Sequence, residues 1–402
     1  MSRRWFSRDI LSIRYAIRDL VPVAKEVEAR GVDVIYLNIG DPLKYDFKTP
    51  RHVIDAMYRA ALDGHNYYSE SLGIPELREA ISSKIRDLYG VDVDSRHVVV
   101  TNGVAEAINF VVRALTDPGD EILVPSPAYP AYISSPLIYH AKPVEYRCDP
   151  GNKFQPDIDN IRALISDNTK AILINTPNNP TGALYSRRVL KEIFDVAAEN
   201  SLAIISDEIY DRIVWGGGFK HPTRYAPDDI IYIGLNGFSK QYLMTGWRLG
   251  YIYLLGGSVE DRDVFVEAVS KQARSRLSPN TPAQFGAVAA LRGGDEHLKD
   301  MIDKIRRRTE VFYKLAIESG IFDVDMPGGT FYIFPRLTVD YPGGDYEFVK
   351  RLLLEEGVYL VHGSGFGYMG RGHVRAVTLA PEPIIEEAFN RIEKFVKRYD
   401  LA

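Results

Sequence analysis

The sequence has almost no cysteine and no strong excess of charge of either sign. Its single cysteine, Cys148, excludes a disulfide bond within the chain and is typical of a reducing compartment. The 49 basic and 54 acidic residues give a net charge of −5, so the composition does not indicate a nucleic acid partner. The eight histidines include no HExxH pattern and no Cys/His pairing, so no metal site is expected.

The sequence also lacks a long apolar run. No segment could form the core of a signal peptide or a membrane span, so we expect a cytoplasmic protein without membrane contact. The N-terminal segment contains several arginines: Arg3, Arg4, Arg8, Arg14 and Arg18. Arginine-rich, acid-poor segments are typical of organelle transit peptides, but Asp9 and Asp19 interrupt this one. We therefore interpret it as an ordinary basic segment.

Short apolar runs alternate with amphipathic helical runs between about residue 97 and residue 256. Many of the predicted strands are apolar throughout, so both faces of the sheet should be covered. These strands are 97–101, 121–124, 171–175, 202–206, 230–235 and 250–255. The alternation predicts an α/β fold, whose large domain has a mostly parallel sheet flanked by helices. We expect a seven-stranded sheet, of which these runs mark six strands.

The pattern changes near residue 295 and predicts a smaller α+β domain built from both termini. The expected elements there are a long charged helix ending at Glu318, a strand at 330–335, a helix near 348–356, strands at 358–361 and 373–379, and a final helix from about residue 383. We predict that the large domain covers 47–294 and that the small domain covers 1–46 and 295–402.

Polar motifs stand where the predicted strands end, which is where doubly wound sheets bind ligands. Residues 101–105 (TNGVA) form a Gly-containing turn into a helix, whose unpaired amides suit phosphate. Later strands are followed by 175–182 (NTPNNPTG), 207–210 (DEIY) and 237–240 (GFSK), with Arg248 further along. An aspartate at the end of an apolar strand is costly unless a cation or a donor compensates it.

Together these motifs offer a lysine for an aldehyde, an acid for a ring nitrogen, donors for a phenolate oxygen, and an arginine with a helix end for a phosphate. Pyridoxal phosphate requires this set of groups. Taken alone, each motif is weak evidence for a cofactor site, because the turns could be purely structural and the lysine could lie on the surface. Their order along the chain favours the cofactor.

The ordered motifs resemble those of fold-type I, class I aminotransferases, and most closely the alanine aminotransferase branch. The resemblance runs from 37–42 (LNIGDP) to 373–375 (HVR), nearly the whole chain. It includes 67–73 (YYSESLG), 125–130 (PSPAYP) and 245–251 (TGWRLGY). The NPTG motif and the SK motif followed by GWR are highly specific to this family.

The resemblance implies roles for individual residues at the cofactor. Lys240 would bind the cofactor aldehyde covalently and later carry a proton, and Asp207 would keep the ring nitrogen protonated. Tyr210 and Asn179 would hydrogen-bond the phenolate oxygen. Tyr129 would stack on the cofactor ring, with Ile209 behind it. The residues implied to bind the phosphate are Val104, Ala105, Ser239 and Arg248. Tyr68 would reach the phosphate from the neighbouring subunit of a homodimer. Many relatives carry a hydroxyl where this chain has Gly237, and Ser239 is expected to compensate.

Arg375 is the candidate for binding the substrate. On a strand it shares a face with Val377 and Leu379, and an arginine on an apolar face requires an anion. The resemblance implies that it binds the α-carboxylate, assisted by the backbone of Gly40, while a structural ion pair is the alternative. Candidates for the distal carboxylate of glutamate are Arg18, which follows Tyr15 in a matching segment, Arg274 and Arg276.

The resemblance implies a ping-pong transamination, most favourably between L-alanine and 2-oxoglutarate to form pyruvate and L-glutamate. The enzyme alternatives are an aromatic or broad-specificity aminotransferase (aspartate- or kynurenine-type) and a lyase on the same scaffold. A ligand sensor without activity would carry a DNA-binding domain and would be expected to lose Lys240. Residues 363–367 (GSGFG) hint at a dinucleotide loop, but no first βαβ unit surrounds them.

Overall fold

The computed structural model describes residues 10, 11, 13, 15–215 and 219–400. Arg3, Arg4, Arg8 and Arg14, considered above for a transit peptide, lie outside the described residues. Among the helices that are described, none has both the length and the apolarity needed to cross a membrane.

The strands are short at both ends of the chain and longer in the middle. In chain order they are β1 (Ile35–Tyr36), β2 (Val98–Thr101), β3 (Glu121–Ser126), β4 (Lys142–Asp149), β5 (Gln155–Pro156), β6 (Thr169–Asn175), β7 (Ala203–Asp207), β8 (Tyr232–Gly237), β9 (Gly250–Leu255), β10 (Phe322–Asp323), β11 (Tyr332–Ile333), β12 (Arg336–Leu337), β13 (Val358–Tyr359), β14 (Val361–His362) and β15 (Val374–Val377).

Helices connect most of these strands. They are α1 (Val21–Ala29), α2 (Arg51–Leu62), α3 (Pro75–Tyr89), α4 (Val104–Leu115), α5 (Pro130–Ile138), α6 (Ile158–Leu164), α7 (Arg187–Glu199), α8 (Val259–Arg276), α9 (Thr281–Arg292), α10 (Glu296–Ser319), α11 (Gly344–Glu356) and α12 (Glu382–Arg398). The long charged helix predicted from residue 295 is α10, and the predicted final helix is α12.

The central sheet has eight strands in the order β2-β9-β8-β7-β6-β3-β4-β5. The strands from β8 to β4 run parallel, whereas β9 is antiparallel to both of its neighbours and β5 is antiparallel to β4. The predicted mostly parallel sheet flanked by helices is confirmed, with the two-residue β5 added at one edge. Sequence patterns did not reveal β4, because this strand near the edge mixes charged and apolar residues, and only Tyr146 and Cys148 of it are buried.

Side chains of the central strands alternate between two buried cores. Val98 and Val100 of β2 lie in the core that also contains Leu77 of α3, whereas Val99 lies in the core with Val111 of α4. Successive residues of a strand point to opposite faces, so a sheet that is covered on both sides requires strands that are apolar throughout. This explains the continuous apolar runs in the sequence.

A third core combines residues from both ends of the chain. It contains Leu20 and Val27 together with Phe312, Leu352 and Phe389 of the C-terminal helices. Parallel pairing of β1 with β13 joins the two chain segments, and β15 lies between β11 and β14 in a small antiparallel sheet. The exact boundaries given above for the two domains stay a prediction.

Candidate active site

A cavity of about 210 Å³, here called the strand-end cavity, opens where the parallel strands end. Asn175, Asp207 and Leu235 lie side by side across β6, β7 and β8, so the carboxyl ends of these strands form one wall. The predicted site residues that line the cavity are Tyr15, Arg18, Gly40, Val104, Ala105, Tyr129, Asn179, Asp207, Tyr210, Ser239, Lys240, Arg248 and Arg375.

Lys240 projects into this cavity with its amine held in place. Its Nζ donates a hydrogen bond to the carbonyl oxygen of Gly40 at 2.6 Å and lies 5.5 Å from the centre of the Phe331 ring. Burial lowers the pKa of Lys240 to about 8, and nearby Arg375 acts in the same direction. A neutral amine is therefore accessible near neutral pH, as a nucleophile or a base requires.

Asp207 is buried at the end of β7. It accepts hydrogen bonds from the Tyr132 hydroxyl at 2.7 Å and from the amide of Ile209 at 3.1 Å. Burial raises the pKa of Asp207 to about 6, and the nearby carboxylates of Glu208 and Asp211 add to the rise. A protonated ring nitrogen beside this carboxylate would relieve that cost, so the site fits the cofactor's pyridine ring.

Arg375 of β15 is buried with only neutral partners. Its Nη1 donates to Oδ1 of Asn179 at 3.0 Å, its Nη2 donates to the carbonyl oxygen of Asn38, and its Nε has no partner among the residues that the structure describes. Within the described part of the chain, no aspartate or glutamate forms an ion pair with it, and burial lowers the pKa of Arg375. The structural ion pair considered above is thus absent there, and a carboxylate ligand would compensate the charge.

The phosphate end of the cavity combines a helix start with an arginine. Gly103 precedes α4 at a φ of +82°, and a Cβ there would lie 2.5 Å from Nη2 of Arg248. The amides of Val104 and Ala105 belong to the first turn of α4, so they have no acceptor within the helix. Nη1 of Arg248 donates to the carbonyl oxygen of Thr245 at 2.9 Å, which orients the guanidinium. This arrangement suits a phosphate group.

Gly237 has a packing reason for lacking a side chain. It lies opposite Gly250 in the antiparallel pair of β8 and β9, and a Cβ there would lie 3.0 Å from the Gly250 Cα and from the Leu249 carbonyl oxygen. The close approach of the two strands therefore disfavours a side chain at this position, because the neighbouring backbone would have to move by a few tenths of an ångström. Ser239 lines the cavity instead.

Two tyrosines that the sequence analysis missed line the strand-end cavity. Tyr132 donates to Asp207, and its position one helical turn after Tyr129 could have revealed it, because residues three apart share a helix face. Tyr332 lies with its hydroxyl 2.9 Å from that of Tyr210. No local pattern marks Tyr332, since its place depends on the pairing of β11 with β15.

The remaining predicted residues lie in different places. The hydroxyls of Tyr15 and Tyr129 are 2.8 Å apart, and Arg18 is exposed at the cavity. Tyr68, which is 79% exposed, does not line the cavity of its own chain. Arg274 and Arg276 lie outside it too: they form ion pairs with Glu267 at 3.3 Å and with Glu106 at 3.2 Å, respectively.

Comparisons with known proteins show the family of this chain. Residues 32–392 match the family described as "Aminotransferase class I and II". A solved structure of an alanine aminotransferase from Pyrococcus furiosus is 47% identical with a TM-score of 0.95, covering 98% of this chain and 100% of that one. The "Probable aspartate aminotransferase" of Methanocaldococcus jannaschii is 36% identical, over 94% of this chain and 96% of the relative.

A glutamate-pyruvate aminotransferase of Haemophilus influenzae is 35% identical, over 94% of this chain and 95% of the relative. The predicted resemblance to aminotransferases, including an alanine aminotransferase, is thereby confirmed. The chain belongs to the class I and II aminotransferases, a family of enzymes that depend on pyridoxal phosphate.

Proposed function

We propose that this enzyme transfers the amino group of L-alanine to 2-oxoglutarate, forming pyruvate and L-glutamate. The observation that carries the proposal is the pair of arginines on the substrate side of the strand-end cavity, one buried (Arg375) and one exposed (Arg18). A monocarboxylate needs only the first, whereas a dicarboxylate can use both. The names of the relatives from P. furiosus and H. influenzae support alanine, pyruvate and glutamate as substrates.

The residues present fit pyridoxal phosphate. When bound, this cofactor withdraws electrons from the substrate's α-carbon, which allows the α-proton to leave. In our proposal Asp207 holds the ring nitrogen, Tyr210 and Asn179 donate to the phenolate oxygen, and Tyr129 stacks on the ring. Arg248 and Ser239, together with the first amides of α4, bind the phosphate.

Lys240 is proposed to attach the cofactor and to move the proton. The pKa of its amine, lowered to about 8 by burial, lets the neutral form accept the α-proton near neutral pH. The carbonyl oxygen of Gly40, 2.6 Å from Nζ, fixes the direction of the amine. Neither the lowered pKa of Lys240 nor its hydrogen bond to Gly40 depends on the substrate's side chain. The proton transfer by Lys240 can therefore serve both half-reactions.

Arg375 is proposed to bind the α-carboxylate of each substrate. The partner groups that it has, the Asn179 amide oxygen and the Asn38 carbonyl oxygen, carry no charge. A carboxylate at the guanidinium would supply the missing negative charge in a buried place, where ion pairing is strong. The cavity walls near it include Tyr15, Ile17 and Ile39, which suit the methyl group of alanine.

We predict that Arg18→Ala weakens the half-reaction with glutamate and leaves the half-reaction with alanine nearly unchanged. Only glutamate brings a distal carboxylate, and a lost charge-assisted hydrogen bond costs about 1.5–3 kcal/mol, or roughly ten- to a hundredfold in kcat/KM. Single-turnover kinetics with each amino acid measure the effect. Arg274→Ala, an exposed arginine outside the cavity, is the control. Equal losses for both amino acids would mean that Arg18 supports the fold and does not select the substrate.

Aspartate is the second candidate, because Arg18 could also bind its distal carboxylate and because the M. jannaschii relative is named a probable aspartate aminotransferase. Half-reactions with alanine, aspartate and tyrosine, followed through the cofactor's visible absorption, separate the candidates. Faster conversion of aspartate or tyrosine than of alanine would overturn the proposed substrate. Release of free ammonia with the cofactor left in its aldehyde form would indicate a lyase, because a transaminase keeps the amino group on the cofactor.

We propose a homodimer in which Tyr68 reaches the partner's phosphate. Tyr68 is 79% exposed, and other large exposed side chains near it in sequence or on the neighbouring α2 are Tyr58, Leu62 and Tyr67. The Thr281 hydroxyl donates to the carbonyl oxygen of Tyr67 at 2.7 Å, which ties this segment to the start of α9. An exposed group of large side chains of this kind is typical of an interaction surface.

We predict a dimer in sedimentation and weaker cofactor binding in Tyr68→Phe. Loss of one hydrogen bond to a phosphate should raise the Kd of pyridoxal phosphate by roughly tenfold or more. Tyr399→Phe, which removes another surface tyrosine's hydroxyl, should leave that Kd unchanged. An active monomer at the assay concentration would contradict the proposal.

A further inference from the structure

Tyr332 lies in the strand-end cavity between Tyr210, which is proposed to contact the cofactor, and Arg375, which is proposed to bind the substrate. It is 4% exposed, and the short strand β11 holds it against β15, which carries Arg375. Gly40 packs directly on its hydroxyl, so that any Cβ at Gly40 would collide with it. Neither the sequence motifs nor the roles assigned above use this residue.

Its hydroxyl is 2.9 Å from the hydroxyl of Tyr210, and both groups are buried. Each phenol has one proton, so only one of the two can donate in this contact. If Tyr210 donated to Tyr332, its proton would be unavailable to the cofactor. Tyr210 can donate into the cavity only while Tyr332 is the donor between them.

The charge of Arg375 decides which of the two tyrosines donates the hydrogen bond. Its guanidinium carbon lies 4.6 Å from the centre of the Tyr332 ring, within the range of a cation–π contact. Burial raises the pKa of Tyr332, and Arg375 is the main influence that opposes the rise, whereas burial and Tyr332 together raise the pKa of Tyr210 well above its ordinary value. A cation against the ring of a phenol favours release of its proton, so Tyr332, on which the Arg375 guanidinium lies, is the better donor of the pair.

We propose that Tyr332 is a positioning residue with two tasks, an inference that rests on the proposed function of Tyr210 and Arg375. Its hydroxyl donates to Tyr210 and so directs the Tyr210 proton at the cofactor's phenolate oxygen. Its ring holds the face of the Arg375 guanidinium for the substrate carboxylate. The cofactor contact and the carboxylate contact are thereby set by one side chain.

The two tasks can be separated with two substitutions. Tyr332→Phe removes the hydroxyl and keeps the ring, whereas Tyr332→Leu removes both. Hydrogen bonds in a chain strengthen each other, so losing the Tyr332 hydroxyl weakens the donation of Tyr210 to the phenolate oxygen. A less neutralised phenolate favours the protonated form of the Lys240-bound cofactor.

The test is a pH titration of the visible absorption of the holoenzyme, together with binding of succinate, a carboxylate that cannot react. Tyr332→Phe should raise the titration midpoint by about half a pH unit or more and leave succinate affinity within about twofold. Tyr332→Leu should raise the midpoint and also weaken succinate binding roughly fivefold or more.

Tyr146→Phe is the matched control, because it removes a buried hydroxyl bonded to the Leu173 carbonyl oxygen outside the cavity. It should change neither readout. An unchanged midpoint in Tyr332→Phe, or equal loss of succinate affinity in the Phe and Leu variants, would overturn the inference. Half-reactions of the wild type with alanine test the proposed substrate separately, since neither readout needs a reacting amino acid.

Discussion

Replacing Lys240 with alanine is expected to abolish transamination and to leave the fold intact. In the proposed mechanism the substitution removes both the group that attaches the cofactor and the base that moves the α-proton. Positioned general bases alone contribute about a hundredfold to ten-thousandfold in rate, so we expect a loss of at least a thousandfold for the two tasks together. Single-turnover kinetics and the visible spectrum measure the loss, and circular dichroism reports on the fold.

Two features of the structure distinguish Lys240 from a surface lysine. Its Nζ is held at 2.6 Å by the Gly40 carbonyl oxygen, and burial keeps its pKa near 8. Lys314→Ala is the control, since Lys314 lies on α10 with a largely exposed side chain and pairs with Glu318. That variant should keep full activity. A Lys240→Ala enzyme with full turnover would contradict the assignment of the site.

Asp207→Asn is expected to lower activity and to raise the stability of the cofactor-free protein. An asparagine cannot keep the ring nitrogen protonated, so we expect kcat/KM to fall roughly a hundredfold. The gain in stability follows from burial, which raises the pKa of Asp207 from 3.8 to about 6. An asparagine at this place has no charge to desolvate.

The direction in which pH changes the free energy of unfolding follows from the linkage between protonation and folding. Well below the ordinary pKa of 3.8 the carboxyl is protonated in both the folded and the unfolded protein, so burial has no ionic cost there. As the pH rises from about 4 to 6 the unfolded state ionises first, and the folded protein loses about 3 kcal/mol of stability that it does not regain above pH 6. The Asn variant should lack this loss.

Urea unfolding of both cofactor-free proteins at pH 4.5 and pH 7.5 measures the difference. The free energy of unfolding of Asp207→Asn should exceed that of the wild type mainly at the higher pH, and added pyridoxal phosphate should stabilise the wild type more. Asp167→Asn, at an exposed position, should show no such difference between the two pH values. A variant less stable than the wild type at pH 7.5 would mean that the hydrogen bonds of Asp207 outweigh its desolvation.

Much of the site was predictable because it lies at strand ends. Continuous apolar runs mark the central strands, and the carboxyl ends of parallel strands meet at one edge of a sheet. Asp207 could therefore be placed beside Asn175, where the register puts it. Lys240 could be placed at the same edge, because it lies three residues after Gly237, the last residue of β8. These inferences need only residues near each other in the chain.

The contacts that combine the motifs were decided by tertiary structure. The Gly40–Lys240, Asn179–Arg375 and Tyr210–Tyr332 contacts join residues 200, 196 and 122 positions apart. Sequence periodicity reports only on neighbouring residues, so it could not place Tyr332 on Arg375. Nor could it separate Arg18, which lines the cavity, from Arg276, which pairs with Glu106. The chemical groups at the strand ends can be read from the order of residues in the chain, whereas the contacts between them depend on how distant segments pack.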